Sequence, residues 1–424
     1  MQAKNDDPIV VTGMGAVTPL GVGVQTNWER LLAGRSGIVR NDRFDVTDYA
    51  AKVAGLVPRK EDDPQGFDPL DYVDSKDLKK MDLFIQYSMA ATEEALLQSG
   101  WAPDSETAKE RTATIIATGV GGFPAMTNAS SVIAEKGPRR LSPFTVPSFL
   151  GNMAAGHISI RYGFKGTIGS PITACAASAQ AIGDGVRLLR AGDADVVVCG
   201  GADACVDPVA IGGFAAARAL CTKYNDEPEQ ASRPFDENHA GFVLSEGAAT
   251  LVLERESHAK ARGATIIGKV HGYGTCADAY HLTALAPGGE GGVRSMKLAF
   301  KDADLVPDQI DYVNAHSTST PVGDEAEIAA IHSVFGDRGK SLAVNSTKAS
   351  IGHLLGAAGA IEAVYSLMAL ATQTVPPGLN IDQPIDPAAQ YELANDGPVL
   401  RKIDYVLSNG FGFGGVNATL IFGR

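Results

Sequence analysis

Six residues spread over the last three fifths of the chain could share one piece of chemistry. Cys175 stands in "ITACAASAQAIGDGVRLL" (172–189), where a strand-like run turns into a helix. A thiol at a helix start meets free N–H groups and the positive end of the helix dipole, which favours the thiolate. The competing reading is structural, because free cysteine also packs as a small hydrophobe. His316 ends a strand in "VNAHSTSTPVGD" (313–324) and is followed by hydroxyl residues. Lys348 and His353 lie in "NSTKASIGHLLGAAGA" (345–360), at another strand-to-helix crossing. Phe411 and Phe413 occupy the glycine-rich run "SNGFGFGGVNATL" (408–420), which reads as a mobile loop able to present backbone N–H groups. A cysteine that carries an acyl group, with two imidazoles to hold a developing enolate or oxyanion, would suit covalent thioester chemistry.

The elements that must position these residues follow from the pattern. Strands are expected at 9–18, 112–118, 194–201, 264–274, 310–316, 341–348, 403–411 and 417–423. Helices are expected at 79–100, 175–192, 292–303, after Pro321 and at 357–371, with Gly100 and Gly192 as stops. This alternation is that of an α/β protein with mostly covered sheets, whose sites lie at strand C-termini. The charged run "LERESHAKARG" (253–263) reads as a junction between two halves, and 59–76 as a surface loop. No sequence repeat between the halves is visible.

Composition narrows the function classes. The chain has 424 residues, 45% hydrophobic and 20% charged, enough for a large core. A net charge of −13 argues against a broad nucleic-acid surface. Five cysteines without a C-x-x-C pair argue against a disulfide framework or zinc ribbon and for a reducing compartment. No signal peptide or membrane span is read, so a soluble, cytoplasmic protein is expected. "TGMGAVTPLG" (12–21) fails the dinucleotide pattern, since position 18 is Thr.

Taken in order, "TACAAS", "NAHSTSTP", "NSTKASIGHLLGAAGA" and "GFGFGG" make the chain resemble the β-ketoacyl-[acyl-carrier-protein] synthases, most of all the elongating class II enzymes. The resemblance runs over nearly the whole chain. It implies an α/β thiolase fold of five layers, αβαβα, built from two related halves and assembled as a homodimer. The halves are placed at 1–262, with the nucleophile, and 263–424, with the His and Lys residues and the Phe gate. It implies an acyltransferase of type II fatty-acid biosynthesis: decarboxylative condensation of malonyl-carrier protein with an acyl chain on Cys175. His316 and His353 would promote decarboxylation. Backbone N–H groups of Cys175 and Phe413 would form the oxyanion hole, and Phe413 would also gate the site. Lys348 would order the centre with Glu362 as partner. Thr318 and Thr320 match pantetheine-binding positions, and Val120 and Phe214 match the acyl pocket. Asn314, Glu362 and Asn409 match positions where some relatives hold a structural monovalent cation. No organic cofactor is implied, since the acyl carrier protein brings the phosphopantetheine. Lys76, Lys79, Lys80, Lys136, Arg139, Arg140 and Arg218 are candidates for docking that acidic partner, against the plain reading of solvated charge.

Three departures stand out. Ser317 replaces a usual glycine and would narrow the site or shift His316. Gly410 replaces a usual serine and would loosen the gate. Ala240 breaks an Asp-Gly pair. Rival readings are a thiolase or CoA-using starter enzyme, whose second partner would differ from His353, and a non-catalytic chain-length subunit, which Cys175 argues against. A free-standing protein is expected rather than a domain of a megasynthase.

Overall fold

The computed structural model describes residues 7–424. Ten strands form its scaffold. The first five are β1 (Ile9–Thr18), β2 (Thr112–Ala117), β3 (Ile168–Gly169), β4 (Val196–Asp203) and β5 (Gly247–Arg255). The second five are β6 (Gly268–Ala277), β7 (Tyr312–Asn314), β8 (Ala343–Asn345), β9 (Tyr405–Gly412) and β10 (Val416–Gly423). Six helices matter to the site: α1 (Leu83–Ser99), α2 (Phe123–Lys136), α3 (Ala177–Ala191), α4 (Glu290–Ala303), α5 (Pro321–Phe335) and α6 (Ala358–Thr372).

The repeat that the sequence hides is plain in the topology. The strands run β3-β2-β4-β5-β1 in one half and β8-β7-β9-β10-β6 in the other, the same order counted from each half's first strand. In each half the first two of these neighbour pairs are parallel and the last two antiparallel. Helices follow the first, second and third strands of both halves, so α1, α2 and α3 correspond to α4, α5 and α6. Residues Ile9–Val11 of β1 pair with Gly268–Val270 of β6 and join the halves edge to edge. Such repetition needs matched hydrophobic faces, not matched residues, so the two halves diverge freely in sequence.

Packing produces five layers. α1 covers the outer face of the first half and α4 that of the second, while α3 and α6 lie between the two sheet halves and touch both. The small residues around Cys175 and in "GAAGA" now have a packing reason. A Cβ on Gly359 would lie 2.7 Å from the backbone nitrogen of Ala179, so the two middle helices approach to backbone contact there. Ser178 Oγ accepts the Ala360 N–H at 2.9 Å across that contact. Ile182, Val186, Ile361, Val364 and Leu367 then join strand residues of both halves in the largest core cluster. The stretch Leu355–Thr372 is apolar and long enough to cross a membrane, but 83% of it is buried, as befits a central core helix.

Several sequence expectations shift at their edges. The helix expected at 79–100 starts later, at Leu83, where the Asp82 side chain caps Phe84 N–H, and a separate short turn at Ser75–Leu78 precedes the expected start. The strands expected at 310–316 and 341–348 shrink to three residues each, because their ends turn into the site. The charged run 253–263 covers the end of β5 and the connection toward β6, between the halves, and it is ordered. Buried Glu254 binds Arg262 and His258, and Glu256–Ala261 form a helical turn. Within 59–76, Phe67 is buried and packs edge-on to Tyr87, 4.9 Å away.

Candidate active site

Cys175 lies in the tight turn Ala174–Ala176 between β3 and α3, one turn ahead of the regular helix. Ala174 takes a left-handed φ of 50°, a strained conformation for a residue with a side chain. His353 occupies the equivalent connection of the second half, between β8 and α6. The two equivalent connections meet at the molecular centre: Cys175 Sγ and His353 Nε2 are 2.9 Å apart. His316, after β7, sets its ring 5.4 Å from that of His353 at 83°. The three donor atoms lie within 4.8 Å of one another.

The electrostatics correct one expectation. The helix start does not win at Cys175: enclosure pushes its thiol up to about 12, against the lowering pull of the Lys348 charge. Backbone N–H groups of Phe413 and of Cys175 itself face the sulfur and also favour its anion, but less than burial opposes it. Burial, then the Lys348 charge, holds His316 and His353 well below the ordinary histidine value, so both rings are neutral near pH 7. Neutral rings each offer one N–H.

A cavity of about 630 Å³ leads to this centre. Cys175, His316, His353, Phe413, Thr318, Thr320, Val120 and Phe214 all line it, so the sequence-chosen groups share one space. Thr318 and Thr320 hydroxyls are 3.2 Å apart on its wall.

Comparison with known proteins places the chain. The beta-ketoacyl synthase N-terminal domain description matches residues 6–259, and the C-terminal domain description matches 267–382. A 3-oxoacyl-[acyl-carrier-protein] synthase 2 of Rhizobium meliloti is 44% identical over 416 residues, covering 98% of both chains. That of Vibrio cholerae is 45% identical over 417 residues, covering 98% of this chain and 99% of its own. The chain belongs to the β-ketoacyl synthase family. Among solved structures, a β-ketoacyl synthase from Burkholderia phymatum superposes with a TM-score of 0.89 at 34% identity, covering 99% of both chains. A type II PKS ketosynthase, solved in complex with its acyl-carrier protein, gives 0.88 at 29%, again over 99% of both. The thiolase fold read from the resemblance is thus the fold of this synthase.

The remaining sequence-chosen residues fall into place around the centre. Lys348 is fully buried and its ammonium is paired with Glu362. Burial pushes the Glu362 carboxyl up to about 7, with the Lys348 charge pulling the other way. Glu362 Oε2 and Asn314 Oδ1 are buried without a hydrogen-bond partner, and Asn314 Nδ2 donates to the Glu362 carbonyl at 3.3 Å. Those two oxygens fit a monovalent cation. Asn409 offers no free side-chain oxygen, because its Oδ1 accepts from Thr419 at 2.9 Å while its Nδ2 donates to Glu327. Lys79 and Lys80 both sit 5.6 Å from the Phe144 ring, close in the chain to exposed Arg139 and Arg140. Lys136 is exposed at the end of α2. Lys76 and Lys80 are partly spent on Asp74 and Asp77. Arg218 is exposed on the cavity wall.

Two departures behave differently from expectation. The Ser317 side chain turns to Glu327, its hydroxyl donating at 2.7 Å to the carboxylate that also takes the N–H groups of His316 and Ser317. The extra atoms therefore anchor the His316 turn and are spent on that carboxylate. Gly410 does not belong to the Phe413 turn: it pairs with Ala418 inside the β9–β10 ladder, and only Phe413–Gly415 form the reversal. Ala240 lines the cavity beside Gly241.

Sequence reasoning passed over two carboxylates. Glu327, on α5, anchors His316. Asp203, at the end of β4, accepts from Thr118 Oγ1 at 2.7 Å, Gly119 N–H at 2.8 Å and Gly356 N–H at 2.6 Å. It ties the Val120 segment to the turn after His353. Burial is the only signal for either, and a lone acid in sequence reads as surface.

Proposed function

We infer that this synthase condenses an acyl thioester with a malonyl thioester, both borne on an acyl carrier protein, to give a 3-oxoacyl product and CO₂. The observation that carries this reading is the approach of Cys175 Sγ to His353 Nε2 at 2.9 Å, with His316 beside it, at the floor of a cavity open to a carrier arm.

On this reading Cys175 attacks the acyl thioester. A new C–S bond forms, and the departing carrier thiol takes the proton that Cys175 gives up. The tetrahedral oxyanion sits against the N–H groups of Cys175 and Phe413. Malonyl-carrier then binds with its thioester oxygen facing the neutral rings of His316 and His353. Its C–C bond to the carboxylate breaks, CO₂ leaves, and the electron pair moves into an enolate held by the two ring N–H groups. The enolate carbon bonds to the acyl carbonyl carbon, the Cys175 and Phe413 N–H groups receive the charge, and collapse expels the Cys175 thiolate, which takes a proton from solvent. Loss of CO₂ supplies the carbanion, so the scheme asks for no organic cofactor. Lys348 and Glu362 hold the centre in register, and a monovalent cation beside Asn314 and Glu362 would add to that role.

We propose that Thr318 and Thr320 hold the pantetheine arm, that Val120 and Phe214 bound a pocket for long acyl chains, and that Lys76, Lys79, Lys80, Lys136, Arg139, Arg140 and Arg218 receive the carrier. A type II PKS ketosynthase of the same fold is known in complex with its acyl-carrier protein, which supports such a partner. We also propose a cytoplasmic homodimer. All five cysteines are free, which fits a reducing compartment. Strand β3 lies at a sheet edge with Ile168 exposed, and Met126, Ile133, Val146, Leu150 and Ile172 are exposed too.

The test is intact mass spectrometry after incubation with acyl-carrier protein. The wild type gains one acyl group and Cys175→Ala gains none. A wild type that stays unmodified overturns the mechanism. Turnover on carriers of graded chain length tests the pocket, and an optimum confined to short chains would overturn the long-chain assignment.

A further inference from the structure

The cluster that would carry the acyl group is also a donor set for a metal ion. Cys175 Sγ and one ring nitrogen each from His316 and His353 lie within 4.8 Å of one another and face a cavity of about 630 Å³. One thiolate, two neutral imidazoles and an open fourth position are what a borderline-soft divalent ion such as Zn²⁺ takes. We propose that the resting synthase binds Zn²⁺ at Cys175, His316 and His353, and that this binding and acylation of Cys175 exclude each other.

The geometry needs adjustment in both directions, since donors spread over as much as 4.8 Å must also draw together. Zn–S and Zn–N bonds of about 2.3 and 2.0 Å in a tetrahedral site set neighbouring donors roughly 3.3–3.6 Å apart. The 2.9 Å contact between Cys175 Sγ and His353 Nε2 therefore opens by about half an ångström. The Lys348 charge acts against a cation here, as it does against protonation of the two rings, and its pairing with Glu362 offsets it in part. The buried carboxylates of Glu327 and Asp203 hold the turns that carry His316 and follow His353. The binding step balances simply: the Cys175 S–H bond gives way to an S–Zn bond, and the proton goes to solvent.

The surroundings also set the strength. His316 Nδ1 and His353 Nδ1 are buried and have no hydrogen-bond partner. Histidines of resident metal centres donate their second nitrogen to a fixed acceptor, and loss of that acceptor typically costs about 10–100-fold in affinity. The site is accordingly reversible and inhibitory, filled when free zinc rises and emptied by a chelator. Metal would hold the nucleophile out of reaction, and an acyl group on the sulfur would remove the thiolate ligand.

Zn²⁺ and Co²⁺ added to chelator-washed, full-length enzyme test this. One equivalent of Zn²⁺ slows appearance of the acyl adduct at least tenfold, and chelator restores it. Co²⁺ gives a sulfur-to-cobalt charge-transfer band that is lost in Cys175→Ala and in wild type acylated beforehand. His353→Ala weakens Co²⁺ binding at least tenfold. Cys276→Ser, which removes the other partly exposed thiol, changes none of these. Stoichiometric Co²⁺ binding that survives both Cys175→Ala and prior acylation overturns the proposal, as does acylation unaffected by a tenfold excess of Zn²⁺. The acylated wild type keeps the test valid if a variant folds poorly. If metal-free enzyme forms no acyl adduct, the condensing mechanism fails while the cobalt spectrum still decides the metal site.

Discussion

The clearest residue-scale constraint is the distance between the β9 backbone and the Cys175 turn. A Cβ on Gly412 would lie 2.8 Å from the Thr173 carbonyl oxygen and 3.2 Å from the backbone nitrogens of Cys175 and Ala176. Phe413 N–H can face the sulfur only because position 412 has no side chain. Gly412→Ala is expected to push the Cys175 turn away, to destabilise the protein by about 1–3 kcal/mol, and to slow acylation more than tenfold. Gly410→Ala is the control, since its Cβ would meet ordinary contacts at 3.6 Å, and its acylation rate should match wild type. Time-resolved adduct mass and thermal melts check both. Ser317→Gly removes one hydroxyl donor to Glu327 and should cost about 1 kcal/mol in a denaturant melt. Cys175, His316, Lys348 and His353 were legible in sequence because each is a chemically loaded residue in a motif of small or hydroxyl neighbours. Glu327 and Asp203 were not, because their role rests on burial against backbone N–H groups, which for Asp203 come from distant parts of the chain and for Glu327 from the turn just before its own helix.

At the scale of elements, Asp203 shows how the two halves are held in register. It ends β4 of the first half, yet it accepts the Gly356 N–H of the second half and the Gly119 N–H beside Val120 on the cavity wall. Burial pushes its carboxyl up to about 6. The folded value lies above the ordinary carboxylate value of 3.8, so the folded state takes up a proton as pH falls from about 6 toward 4. Over that window this group's contribution to stability rises as pH falls and is lost as pH climbs back through 6. Activity should move the other way, because a protonated Asp203 has one less free acceptor for its three donors. Burial holds His316 and His353 well below the ordinary histidine value, while Glu362, pushed up to about 7, also takes up a proton in the upper part of this range. Between pH 7.5 and 5.5, condensation is expected to fall while the melting temperature holds or rises. Asp203→Asn should flatten the acid limb and lower kcat about tenfold with little change in KM for the malonyl carrier. Rates and melts across that pH range, for both proteins, decide it. A parallel fall of activity and stability would remove Asp203 from this role.

At the scale of the whole molecule, the element types were legible from hydrophobic periodicity, but the twofold repeat was not. The halves share strand order and helix placement while their residues differ, and topology of that kind leaves no mark a single sequence displays. The same limit applies to assembly, since a lone exposed isoleucine in sequence says nothing. In the fold, Ile168 of the edge strand β3 is 51% exposed, and Val120 lines the central cavity while remaining 42% exposed. A second copy seated on that edge would pair the free backbone groups of β3, cover the apolar residues of α2 and close the cavity behind Val120. Ile168→Lys sets a charge on that edge, where strand pairing tolerates it least. The wild type is expected to sediment with the mass of two chains, and Ile168→Lys with the mass of one. Because the opened cavity loses a wall, the variant should lose turnover on long acyl chains several-fold more than on short ones. A monomeric wild type at micromolar concentration would refute the assembly. A monomeric variant with an unchanged chain-length profile would show that the partner covers the edge strand without completing the acyl pocket.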